Sequence, residues 1–153
     1  MSWCEQRFHY RFKDDILLQT ALTHRSHSAD NNERLEFLGD AALDLVISEL
    51  LYQSYSEQTE GSLSRMRSSL VKGNTLAELA KELDVGDYLI LGKGENTSGG
   101  RERLSLLSDA LEAMIGAIFL DGGYVAVKNV IIKIFDSRIQ ALDPKSEHKD
   151  HKS

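Results

Sequence analysis

Two apolar stretches of this chain carry carboxylates at helical spacing. In Asn31–Ile47, the acids Glu33, Glu36, Asp40 and Asp44 recur every three or four residues, which stacks them on one face of a helix. In Leu104–Leu120, residues Ser105, Ser108, Asp109, Glu112 and Gly116 form one small or polar stripe on an otherwise apolar helix. Carboxylates in an apolar setting must hold protons, find cationic partners or bind a metal, because bare burial of the charge costs too much. No lysine or arginine lies on the first stripe. Two such helices packed together gather Glu36, Asp40, Asp109 and Glu112 into a site for a hard divalent cation.

Acids one helical turn apart stand about 5–6 Å from each other at Cβ, close enough to share one ion. Neither stripe contains Cys or His, so the donor set points to Mg²⁺, or Mn²⁺ in its place, and away from zinc. A di-iron bundle would want Glu-x-x-His and is disfavoured. The other candidates have structural explanations. Asp30 and Glu33 fit a capping box, which ranks Glu33 below its neighbours as a ligand. Asp44 is one turn beyond Asp40, at the end of the stripe. Glu60 opens a helical stretch, where an acid favours the dipole. His24, Arg25 and His27 lead into a polar loop, and histidines near a helix end are more often capping or surface groups. Arg65, Arg67 and Lys72 read as a solvated basic face, with phosphate contact as the alternative.

Helices must position these groups. Phe8, Tyr10 and Phe12 anchor the first segment, and Ile16, Leu17, Ala21 and Leu22 follow helical spacing from Asp14. A helix is expected over 60–71 with Leu63, Met66, Leu70 and Val71 inward, and another over 75–83. Tyr88–Leu91 is a short apolar run with no partner strand elsewhere, so extended or single-turn structure is expected. Residues 92–100 hold four glycines among polar residues and read as a mobile loop. Its Gly-Lys-Gly-Glu lacks the spacing of a phosphate-binding P-loop. Gly122-Gly123 should end the second acidic helix, leaving an amphipathic helix over 124–142 through Val127, Val130, Ile131, Ile134 and Phe135.

At 153 residues the chain is one domain able to bury a real core. Its only cysteine, Cys4, excludes an internal disulfide and suits a reducing compartment. There is no signal-peptide core at the start, and no apolar run of membrane-spanning length is evident, so a cytoplasmic protein with no membrane partner is expected. A net charge of −6 argues against a simple RNA-binding module, whose affinity would come from lysine and arginine on phosphates. A nuclease escapes that objection, since bound metal neutralises clustered acids locally.

The run Glu33-Arg-Leu-Glu-Phe-Leu-Gly-Asp40-Ala resembles the signature of the ribonuclease III family. Four further segments resemble the same family in the same order: Ala21–Ser26, Glu60–Arg67, Leu91–Glu95 and Ser108–Gly123. The likeness covers roughly residues 5–145. It implies an all-α, multi-helix endonuclease-domain fold, homodimeric, occupying residues 1–145, with a disordered polar tail over 146–153. It implies hydrolysis of double-stranded RNA, as in processing of ribosomal and messenger precursors, leaving 5′-phosphate and 3′-hydroxyl ends. Glu36, Asp40, Asp109 and Glu112 would bind the metal, with Asp40 and Glu112 catalytic and Glu33 and Glu60 supporting. Phe37 would enter a socket on the partner subunit. Family members usually continue, past a segment like Asp143–Ser146, into a double-stranded-RNA-binding domain, which is not expected in this sequence. The alternative is a catalytically silent paralogue binding RNA as a scaffold; such relatives typically lose the acids retained here.

Overall fold

The computed structural model describes residues 2–142. The order is α1 (Trp3–Phe8), α2 (Asp15–Leu22), α3 (Glu33–Ser54), α4 (Glu60–Val71), α5 (Gly73–Glu82), α6 (Val85–Tyr88), α7 (Lys93–Thr97), a 3-10 turn at Gly100–Glu102, α8 (Leu104–Ile134) and α9 (Asp136–Gln140). Among the described residues there is no sheet, and the all-α expectation is met. The expected tail at 146–153, with Pro144, lies outside the described residues.

Helix starts follow local chemistry. Ser2, Asp14 and Thr59 are extended and cap α1, α2 and α4, each side-chain oxygen accepting a first-turn N–H. The start of α3 corrects the capping-box expectation: Asn31 Oδ1, and not Asp30, accepts the Glu33 N–H at 3.1 Å. The reason is Asn32, which is buried and ties α3 to the end of α2. Its backbone N–H donates to Thr23 O and its side chain to Ala21 O, so the chain enters the helix too late for Asp30 to reach.

The core is built on α8, which packs against α3, α5 and α2. Leu107, Leu111, Met114, Ile115 and Ile118 are almost wholly buried. By length and composition α8 is apolar enough to cross a membrane, which corrects the expectation that no such run exists. A helix wrapped by other helices needs apolar residues all round for the same reason a membrane helix does. Gly123, at φ 88°, kinks α8 where the sequence suggested a break. The second half stops at Ile134, and α9 follows as a separate short turn, not one helix to 142.

Residues 88–100 are more ordered than a glycine-rich loop suggests. Ile90 forms a single parallel bridge with Thr23, donating to Leu22 O and accepting from His24 N–H, so the apolar run does find an extended partner. Helix α7 is held to the start of α8 by Glu95 and Arg103, 2.6 Å apart. Arg101 donates to Asn96 Oδ1 and to the carbonyls of Gly86 and Leu89. The first residues dock on distant parts: Trp3 donates to Leu83 O and stacks on Tyr88, and Asp121 accepts from the Tyr10 hydroxyl and from the N–H groups of Lys13 and Asp14.

Helices α3 and α8 touch backbone to backbone. A Cβ on Gly39 would stand 1.7 Å from Glu112 O, and one on Gly116 would stand 2.3 Å from Leu35 O. Either atom forces the helices apart, against the usual gain in helix propensity from Gly to Ala. Gly39→Ala should therefore destabilise the fold by about 1–3 kcal/mol or more, read by urea denaturation. A stabilised Gly39→Ala protein would show that the close crossing is not required.

Candidate metal centre

The glycine crossing brings the two acidic stripes together. Gly39 stands between Glu36 and Asp40 on α3, and it lies against the backbone of Glu112 on α8. Carboxylate oxygens of Glu36, Asp109 and Glu112 lie within 4.8 Å of one another, and all three side chains are half-buried. Glu36 is within hydrogen-bonding reach of Asp109, and Asp40 of Glu112, so all four expected ligands meet.

Their electrostatics are those of acids lacking a counter-ion. Burial first, then the bond and charge of Asp40 and the charges of Glu36 and Asp109, push the Glu112 carboxyl up to about 9. Burial, Asp109, Glu33 and Asp40 push Glu36 up to about 7. Hydrogen-bonding reach to Asp109 for Glu36, and to Asp40 for Glu112, favours the protonated forms of these two glutamates. An oxygen-only cluster that retains protons against neutral pH fits a hard divalent cation, which takes their place.

The remaining candidates divide. Glu33 is exposed, outside the oxygen cluster, and faces Arg25 at 3.9 Å. Cations thus reach the α3 stripe from other elements, although none lies on the stripe itself. Glu60 is on the rim of a separate cavity between α3 and α4. Ser108 is buried and donates to Ser105 O, so its polarity is satisfied within the helix. His24 has a structural part: its Nδ1 accepts from Ser26 N–H and lies 2.8 Å from Ser26 Oγ, which accepts the Gly92 N–H. Asp44 is half-buried, and its carboxyl is held above the ordinary range by burial and Asp40, partly opposed by Arg67. The pattern of acids did not identify Gly39 as the contact that joins them; its signal was a glycine inside an otherwise strong helix sequence.

Fold and site together define an all-helical domain in which four carboxylates from two helices meet. The chain matches the family model described as ribonuclease-III-like over residues 14–138. It is 50% identical over 149 residues to ribonuclease 3 of Vibrio campbellii, covering 97% of this chain and 66% of that protein. It is 48% identical over 153 residues to ribonuclease 3 of Bordetella pertussis, covering 100% and 60%. The nuclease domain of ribonuclease III from Campylobacter jejuni superimposes with a TM-score of 0.86 at 44% identity, covering 92% of this chain and 97% of that one. Dicer from Pichia stipitis is similar at TM-score 0.67 and 26% identity, covering 86% and 59%. The chain belongs to the ribonuclease III family. It spans about two thirds or less of the length of those two relatives.

Without a cation, Glu36 and Glu112 keep protons in the folded protein that the unfolded chain releases near pH 4.5. Their contribution to stability is complete below that pH and is lost as pH rises through about 7 and about 9. The melting temperature in chelator should fall from about pH 5 to about pH 9. Millimolar Mg²⁺ should reduce the fall by binding the native state alone. Identical pH profiles with chelator and with Mg²⁺ would refute a preformed cation site.

Proposed function

We propose that this chain is the catalytic domain of a metal-dependent endoribonuclease that hydrolyses double-stranded RNA, leaving 5′-phosphate and 3′-hydroxyl ends. The observation that carries the reading is the meeting of Glu36, Asp40, Asp109 and Glu112 in a chain of this family. These four would hold Mg²⁺, or Mn²⁺ in its place. When bound, the ion supplies charge stabilisation and a water of lowered pKa, the two needs of phosphodiester hydrolysis.

The chain's own residues set the conditions. The glycine crossing fixes the carboxylates before substrate arrives, so little reorganisation is required at the reaction. Asp40 and Glu112 would hold the ion between α3 and α8, where their carboxylate oxygens would accept hydrogen bonds that orient water. Glu33 and Arg25 border the site and support it from the surface. With net charge −6, RNA phosphates gain most where the ion offsets the acids. The processing of ribosomal and messenger RNA precursors is the matching role. Cytoplasmic residence is part of the same proposal, supported by Cys4, a buried lone thiol that burial and Glu5 push up to about 12.

The test separates enzyme from silent scaffold. Glu112→Gln keeps shape and removes charge, so cleavage of a labelled RNA duplex in Mg²⁺ should fall by orders of magnitude with RNA binding retained. Glu33→Gln should be much milder. Near-parental cleavage by the Glu112 variant at low Mg²⁺ would refute the site, and a parent that binds duplex without cutting it would favour the scaffold.

We also propose a homodimer joined through α3. Phe37 is 82% exposed, which excludes a core role, and Leu45 and Tyr52 continue an exposed apolar stripe. A cavity of about 220 Å³ between α3 and α4, floored by Leu51 and Leu63 beside Tyr52, is of a size to take an aromatic side chain. Two copies with antiparallel α3 helices put each Phe37 into the partner's cavity, the self-complementary contact of a two-fold dimer. One Campylobacter jejuni relative is described for flexibility in a region involved in dimer formation, in keeping with this reading. Phe37→Ala should weaken the dimer by about 2–4 kcal/mol in sedimentation equilibrium. Equal dissociation constants for variant and parent would remove Phe37 from the interface.

A further inference from the structure

Beside the exposed stripe of α3 stand two half-buried opposite charges, Asp44 on α3 and Arg67 on α4. Arg67 reaches across to α3, its Nη1 donating to Ser48 Oγ at 2.9 Å, one turn beyond Asp44. Among the described residues, no carboxylate lies within 4.0 Å of the Arg67 guanidinium, and no Lys or Arg nitrogen lies within 4.0 Å of the Asp44 carboxylate. Within one chain the two sense each other without forming an ion pair. For Asp44, burial and the charge of Asp40 outweigh Arg67.

We propose that Asp44 pairs with Arg67 of the partner subunit, and that this reciprocal pair sets the register in which two copies of the chain join. The inference rests on the homodimer reading and adds to it the contact that selects one alignment. Phe37 and Asp44 are two turns apart and share a face. If Phe37 of one copy seats beside Leu51 of the other, the residue midway between them is Asp44, so the two-fold axis passes next to it. Ser48, which holds Arg67, is one turn away, about 6 Å along the helix.

Energetics favour the cross-boundary pair. Association takes water from both groups, and an uncompensated buried charge is strongly destabilising. The two Asp44 side chains near the axis also repel each other unless a cation intervenes. The two arginines supply it and make an alternating set of four charges. A register shifted by one turn would leave Asp44 and Arg67 desolvated and unmatched, while the apolar stripe alone would tolerate the shift. The charges thereby exclude wrong alignments that hydrophobic contact permits.

A mixing experiment tests this without reference to cleavage. Asp44→Lys and Arg67→Glu each create like charges within a chain and across a homodimer. In a mixed dimer of the two variants, both cross-boundary pairs become opposite in sign, while like charges persist within each chain. By sedimentation velocity with one variant labelled, each alone should show a dissociation constant raised tenfold or more. The equimolar mixture should return to within a few-fold of the parent. A mixture no tighter than its components, or single variants as tight as the parent, would overturn the inference and leave the dimer standing. A monomeric parent would remove the dimer reading and this inference together. Should either variant fail to fold by circular dichroism, Asp44→Asn, Arg67→Gln and their combination are measured instead. Non-additive dissociation constants are expected, and additive ones overturn the pairing.

Discussion

The missing side chains of Gly39 and Gly116 are the constraint on which the rest depends. Helices packed through ordinary side chains lie about 8–10 Å apart. Here α3 and α8 approach until a carbonyl of each fills the place of the other's Cβ. That approach allows acids of modest length, on two different helices, to share one small volume. It also explains the apolar surroundings: Leu35 and Leu43 on α3 and Leu111 and Ile115 on α8 exclude water around the crossing.

The crossing has an electrostatic consequence that the fold does not relieve internally. Arg25 approaches Glu33, at the exposed edge, and Arg67 bonds Ser48 and bears on Asp44. The centre between them is left to protons or to an added cation. Local stability is therefore yielded where chemistry is expected, as in many sites whose charges are arranged for a ligand. The surrounding core supplies the rigidity that holds the arrangement.

Much of this was legible because helical spacing is a strong signal. Glu36, Asp40, Asp109 and Glu112 could be placed on two faces from their intervals alone. The misreadings arose where distant residues decide local structure. Asp30 looked like a cap until Asn32 proved tied to α2. Residues 92–100 looked unstructured because glycine content says nothing of Glu95 meeting Arg103 or of Arg101 binding the carbonyls of Gly86 and Leu89. Ile90 found its partner in Thr23, a single residue at a helix end that no strand pattern marks. The exposure of Phe37 agrees with the family resemblance, which placed it at a partner socket and not in the core.

The docking of the chain's start onto Asp121 bears on how the protein is made. Tyr10, Lys13 and Asp14 all donate to that one carboxylate, more than a hundred residues later in the sequence. During synthesis at about 5–20 residues per second, these donors wait on the order of 5–20 s for their acceptor to be translated. Helices α1 and α2 are each too short to persist alone in water. The first segment therefore emerges from the ribosome with its apolar anchors, Phe8 and Phe12, uncovered until α8 follows. The docked segment, like the helices that pack on α8, can settle only once α8 has been made.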